Sequence, residues 1–275
     1  MIRRTGSLAA LMAVIALAPL GAQTDRTPDL ATTVPGSWTT DRYAPCQFAL
    51  ANGVQGRNDV LQTSVCAADN QANRPSAYSS SFYNTQGKQI AIDGVGTTPP
   101  SSQILSLDLY VNGSWADSLN GRVATGMWSR VNQINSDNEA DAWYPILGFH
   151  NGGPGGIGAF RFFDSNIGYV QLAAAVNYDA WNTLAITFTG NIYEAFVNGV
   201  SQYVMAGDPG AERLTAAFVN TSNFGPNNNT SGEYTANWSN TPAVTATPEP
   251  ASMALLATGL IGIGGIASRR RRKSA

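Results

Sequence analysis

Charge is scarce in this 275-residue chain: Lys, Arg, Asp and Glu together make up 12% of it, short of what a cytosolic helical protein carries. Histidine occurs once, at His150, and cysteine twice, at Cys46 and Cys66. A catalytic thiol needs a histidine, and His150 lies far along the chain from both cysteines, with no family motif around any of the three. There is no GxSxG elbow, and no acid has a reason to orient the His150 ring, which counts equally against a serine triad. Long apolar stretches of 3.6-residue period are missing except at the two ends, and internal repeats are missing altogether. What is plentiful is glycine, 28 residues of it, with Asn, Ser, Thr and aromatics spread throughout. Many short strands joined by tight turns need that mixture, so the composition predicts an all-β domain.

The net charge of −2 hides an uneven distribution. Seven of the sixteen cations lie at the ends, at Arg3, Arg4 and Arg269 to Lys273. Residues 23–247 hold nine cations against seventeen anions, a net charge of −8. An acidic body argues against nucleic acid as a partner, and its basic ends imply that parts of the chain sit in different compartments.

Arg3 and Arg4 precede LAALMAVIALAPLGA, an apolar run shorter than a membrane span that ends in small residues. Pro19 would break a buried helix there, so residues 1–22 are read as a secretory leader removed by signal peptidase. Export puts Cys46 and Cys66 in an oxidising compartment, where a lone even pair is expected to be bridged. Closing a loop of about twenty residues stabilises the fold by about 3 kcal/mol.

At the other end, Ala251 to Ser268 are uncharged, and eighteen residues of helix at about 1.5 Å each nearly match a hydrocarbon core of about 30 Å. Arg269, Arg270, Arg271, Arg272 and Lys273 then remain cytoplasmic by the positive-inside rule. Pro248, Glu249 and Pro250, the Leu255-Leu256 and Gly259-Leu260 pairs, and this basic cluster together resemble the PEP-CTERM sorting signal of Gram-negative envelope proteins. Thr247 stands where valine is usual. The resemblance covers the last 28 residues and implies transient anchoring in the inner membrane, cleavage by an exosortase, and delivery to the cell surface or to extracellular polymer. Residues 241–247 read as a short linker between this signal and the body.

Residues 23–240 are read as one domain. In TLAITFTGNIYEAFVNGVSQYV, from 183 to 204, Leu184, Ile186 and Phe188 alternate with smaller and more polar residues. Gly190-Asn191 and Asn198-Gly199 are two-residue hairpin turns, giving three consecutive antiparallel strands. ILSLDLYV (104–111), YPILGF (144–149) and IGAFRFF (157–163) are further strands, and TANWS (235–239) is expected to close a sheet. The Trp181-Asn182-Thr183-Leu184 strand followed by Phe196-Val197-Asn198-Gly199 resembles the concanavalin A-like and laminin-G-like jelly rolls. That resemblance implies a two-sheet antiparallel sandwich, with a strand near Trp38 to Tyr43 pairing close to the C-terminal one. Lectins, glycosidases and adhesive modules share the architecture, so it leaves function open.

Gly153 to Gly158 fits GxGxxG, yet the following AFRFFDSN reads as strand, which leaves a pyrophosphate no helix N-terminus. Asp137, Glu139 and Asp141 alternate in SDNEADAW. The plain reading is a solvated acidic loop, and the chemical alternative is a Ca2+ site built from hard oxygen donors. Catalysis is disfavoured because the third acid of the Glu-x-Asp-x-x-Glu strand of laminarinase-type hydrolases is absent. Of the large aromatics, Trp115, Trp128, Trp181 and Trp238 are expected mainly in packing, and Trp143 with Tyr144, beside the acidic loop, as a sugar-stacking platform. The sequence thus predicts an exported, surface-sorted sandwich that binds glycan or exopolysaccharide or serves as an adhesive module. The alternatives are a jelly-roll glycosidase or lyase and a structural matrix protein without a ligand.

Overall fold

The computed structural model describes residues 23–116, 119, 121–152, 156–207, 209–224 and 233–240. The leader, the linker, Pro248 to Pro250, the apolar span and the basic cluster lie outside the described residues. Among the described residues no helix is long and apolar enough to cross a membrane.

Strands dominate. In chain order they are β1 (Thr24–Asp25), β2 (Thr39–Thr40), β3 (Gln47–Ala51), β4 (Val60–Val65) and β5 (Thr85–Ala91). Next come β6 (Gln103–Val111), β7 (Ala124–Asn132), β8 (Ile146–His150), β9 (Ala159–Asp164) and β10 (Gly168–Gln171). The last are β11 (Ala180–Thr189), β12 (Ile192–Val197), β13 (Val200–Ala206), β14 (Arg213–Ser222) and β15 (Tyr234–Asn240). One antiparallel sheet runs β13-β12-β11-β6-β15-β4-β3, with β1 added parallel to β6, and the other runs β10-β9-β8-β7-β14-β5-β2.

The hairpin reading holds in detail. Thr189 pairs with Ile192 across Gly190-Asn191, and Val197 with Val200 across Asn198-Gly199. Asn198 and Gly199 both take positive φ, 50° and 77°, as a type I′ turn requires. Two expectations of strand order are corrected. TANWS does not close a sheet but lies inside one, as β15 between β6 and β4. The segment from Trp38 to Tyr43 supplies β2, which pairs with β5 in the opposite sheet, so the N-terminal partner of β15 is β4. Strand order is set by contacts between segments far apart in sequence, which local pattern does not carry.

The inner faces of the two sheets meet in one apolar cluster. Leu105, Leu107 and Leu109 of β6 and Leu184, Ile186 and Phe188 of β11 face Met127 and Val131 of β7, Phe149 of β8, and Phe160 and Phe162 of β9. Each such side chain withdrawn from water stabilises the fold by about 1.5–3 kcal/mol. Polar ties cross the layers as well. Trp238 Nε1 on β15 donates to Thr125 Oγ1 on β7 at 3.3 Å. The buried Tyr234 hydroxyl donates to Ala124 O at 2.6 Å and accepts from Ser222 N at 2.9 Å, bracing the ends of β7 and β14. Cys46 and Cys66 are bonded to each other, joining the start of β3 to the end of β4, with Cα atoms 6.0 Å apart.

Candidate functional site

Three glycines open a groove across the outer face of the seven-stranded sheet. The pairing places Gly87 (β5), Asn220 (β14), Gly126 (β7), Gly148 (β8), Arg161 (β9) and Gln171 (β10) side by side in one row across the strands. Five steps of about 4.8 Å make this row about 24 Å long. Close backbone packing forces glycine here: a Cβ on Gly148 would sit 2.2 Å from Thr125 O and 2.6 Å from Gly126 Cα. The floor between Asn220 and Arg161 is therefore bare main chain.

The next row on the same face forms a wall. It runs Gln89, Phe218, Trp128, Ile146, Phe163 and Tyr169 across the same six strands. Trp128, Phe218 and Ile146 pack together, with Tyr144 and Phe163 against them. Arg42 lies over both the Trp128 and Phe82 rings, at 4.9 and 4.4 Å from the centroids, which extends the wall to Phe82. Phe82 and Tyr169 are exposed, at 55% and 48%. The opposite side is lower, made by Thr85, Ser222 and Ala124.

Asn220 is the unusual member of the floor. Its side chain is 2% exposed, lines the groove, and has neither its amide nitrogen nor its oxygen hydrogen-bonded. The Asp41 carboxyl lies close enough to feel it, yet Asp41 Oδ2 is likewise buried without a partner at hydrogen-bonding geometry. Burial raises the Asp41 pKa, against the nearby Arg42 and with Glu139 adding to the rise. At the other end, Arg161 rests its guanidinium 3.8 Å from the centroid of the Tyr169 ring. His150, at the end of β8, accepts from Gly152 N through Nδ1 at 2.7 Å. Burial, then Arg161 and Arg122, lower its pKa to about 4, so the ring is neutral near pH 7.

The acidic trio is not brought together. Asp137 pairs with Arg213, a fully buried arginine that also donates to Asp93 O, Gln133 O and Ser136 O. Glu139 pairs with Arg130, and Asp141 accepts from Asn138 Nδ2 at 2.7 Å. Three different partners hold the three carboxylates, so they do not converge on a common point as ligands of one ion must. Among the described residues, Cys46, Cys66 and Asp69 do lie within ligand distance of one another, but the two sulfurs are joined and offer no thiolate. Trp143 and Tyr144 also part company. Trp143 bridges to Val131 and packs on the inner core, whereas Tyr144, the next residue, packs on the outer cluster with Trp128. They do not make one platform. Gly153 to Gly155 lie outside the described residues, and the segment after Gly158 is strand β9.

Among solved structures, the chain is similar to the alginate lyase AlyC3 at 10% identity, over 66% of this chain and 73% of that one, with a TM-score of 0.44. A glycoside hydrolase family 16 endo-glucanase from Bacteroides ovatus matches at 10% identity over 77% and 97%, with a TM-score of 0.44. The carbohydrate binding module CBM66 from Bacillus subtilis matches at 12% identity over 80% and 97%, with a TM-score of 0.36. No curated protein matches the chain in sequence. Residues 246–272 match the PEP-CTERM protein-sorting motif, the mark of an exported, surface-sorted chain processed by an exosortase.

Proposed function

We propose that this is an exported envelope or matrix protein whose concanavalin A-like sandwich binds a glycan along the groove across its seven-stranded sheet. The observation that carries the reading is Asn220. The Asn220 amide lines the groove with neither polar atom in a well-formed hydrogen bond and with the Asp41 carboxyl beside it, and sugar hydroxyls, which donate and accept, offer it partners. The exposed rings of Phe82 and Tyr169 at opposite ends of the wall suit stacking on pyranose faces. The bare glycine floor lets a flat chain approach the sheet closely.

A glycan array probed with full-length protein in detergent tests this. Tyr169→Ala is expected to weaken binding about tenfold, or about 1.4 kcal/mol. Asn220→Ala is expected to abolish binding with little change in melting temperature, since neither polar atom of the side chain makes a well-formed hydrogen bond in the free protein. Binding untouched by both changes would place the ligand elsewhere, and no binding to any glycan would favour the matrix protein without a ligand. Asp41 supports a hydrolytic alternative, because a carboxyl of raised pKa beside a groove is the equipment of a general acid, with Glu139 as the nearby second carboxylate. Reducing ends released from a bound glycan by wild type, and lost in Asp41→Asn, would favour that alternative.

A further inference from the structure

We infer that the glycan held in this groove carries carboxylates, and that the guanidinium of Arg161 grips one of them with its fork of N–H donors. The inference rests on the glycan-binding reading above and adds the class of sugar.

The body carries nine cations. Five are paired with acids: Arg26 with Asp93, Arg42 with Asp41, Arg57 with Asp108, Arg130 with Glu139 and Arg213 with Asp137. Arg74 bonds to Asn84, and Lys88 lies over Phe48 at 5.2 Å. Arg122 and Arg161 are left, each flat against a ring, Phe224 at 3.9 Å and Tyr169 at 3.8 Å. Acids outnumber cations nearly two to one in this span, yet among the described residues neither guanidinium is in an ion pair with a carboxylate.

Arg161 is the one that faces the groove. Desolvation weighs on its charge, and the groups acting on it beyond that are Tyr169, Arg122 and Tyr234, none of them a carboxylate. His150 beside it adds no negative charge either, and its ring stays neutral because it is largely buried and the two guanidiniums load that corner. A guanidinium taken from water without a counterion is costly, and an incoming carboxylate offsets that cost with two parallel charge-assisted hydrogen bonds. Tyr169 holds the plane of the fork, so little freedom remains to be lost on binding. Asp41 lies beside Asn220, three strands from Arg161, and Asp164 on Arg161's own strand is buried and accepts from the Tyr203 hydroxyl. The field is therefore polarised along the groove, with its positive end at Arg161.

Affinity electrophoresis of full-length protein in detergent tests this, in gels cast with sodium polygalacturonate, with its fully methyl-esterified form, or with linear DNA. The two polysaccharides share a backbone and differ in charge. Retardation is expected to be at least tenfold stronger in the acid form than in the ester and absent in DNA. Arg161→Gln should erase the preference, and Arg161→Lys should restore only part of it, because a point charge lacks the fork. The Arg161 side chain makes no hydrogen bond to the described protein, so both variants should melt with wild type; if either does not fold, the acid-against-ester comparison on wild type decides. Equal retardation by acid and ester overturns the inference and leaves the glycan-binding reading standing. Equal retardation by DNA, or a preference that survives Arg161→Gln, overturns it too. If neither polysaccharide nor any other glycan binds, both readings fall.

Discussion

His150 shows how one residue records the charge of its surroundings. Burial and the neighbouring Arg161 and Arg122 lower its pKa from 6.5 to about 4. Between these values the unfolded chain takes up a proton that the folded chain refuses, so stability present above pH 6.5 is lost as the pH falls through 4. Because the ring is only partly buried, the contribution is on the order of 1–2 kcal/mol rather than the full value of the shift. Melting temperatures measured from pH 7.5 to 4.5 should fall more steeply in wild type than in His150→Gln, which keeps an acceptor for Gly152 N. Parallel curves would show that the ring titrates normally. The sequence reads His150 as a surface-loop histidine without a triad; the structure instead places it, partly buried, at the end of β8. Its environment comes from burial and from Arg122, on the loop before β7, and Arg161, on β9, and their meeting is a product of the sheet. Arg161 did leave a signal, as a lone cation inside the apolar run AFRFF. Asn220 left none, since asparagine is everywhere in this chain.

Elements divide into those whose pattern is local and those whose pattern is shared between layers. The strands at 104–111, 144–149, 157–163 and 183–204 are legible because apolar side chains alternate or turn residues flank them. β7 and β14, the central pair of the groove sheet, are not. They read ATGMWSRVN and RLTAAFVNTS, yet are buried almost throughout. Except at Asn220, polar residues are accommodated inside: Thr125 Oγ1 donates to Asn220 O, Ser129 Oγ to Pro145 O, and Thr215 Oγ1 to Asn132 Oδ1. A pattern reader takes such residues for a solvated face. The groove glycines are hidden for a similar reason, since glycine in this composition signals turns, whereas Gly87, Gly126 and Gly148 sit within strands. Gly148→Ala tests their packing role. Its Cβ would meet the backbone of β7 at 2.2 and 2.6 Å, which no side-chain rotation relieves, so the two strands must separate. A loss of about 1–3 kcal/mol is expected, lowering the melting temperature by about 2–4 °C per kcal/mol, together with loss of glycan binding. Gly36→Ala, where a Cβ would meet nothing within 4 Å, is the control and should change neither. Equal melting of Gly148→Ala and wild type would show that the sheet yields there.

At the scale of the whole molecule, an acidic body of net charge −8 and a strongly basic end must reach different places, and the sorting motif supplies the means. Its parts have separable physical jobs. Ala251 to Ser268 form an uncharged stretch of spanning length, more stable in hydrocarbon than in water if helical. Arg269 to Lys273 place five cations together, and carrying them across the bilayer is far costlier than leaving them inside. Pro248 and Pro250 cannot donate backbone hydrogen bonds, so they favour an extended segment open to a processing enzyme. Removing each part should therefore stop a different step. Replacing Pro248, Glu249 and Pro250 with alanine should leave an uncut protein in the inner membrane. Deleting everything from Ala251 onward should release a soluble periplasmic protein that never reaches the surface. Fractionation with C-terminal mass spectrometry, in a host that has an exosortase, follows both outcomes. Cleavage near the motif also removes the basic cluster, so the surface form should lose the five cations and keep the acidic body with its one cationic groove end. Wild-type protein found at the surface with Arg269 to Lys273 still attached would overturn this account, because the tail would then be part of the working molecule.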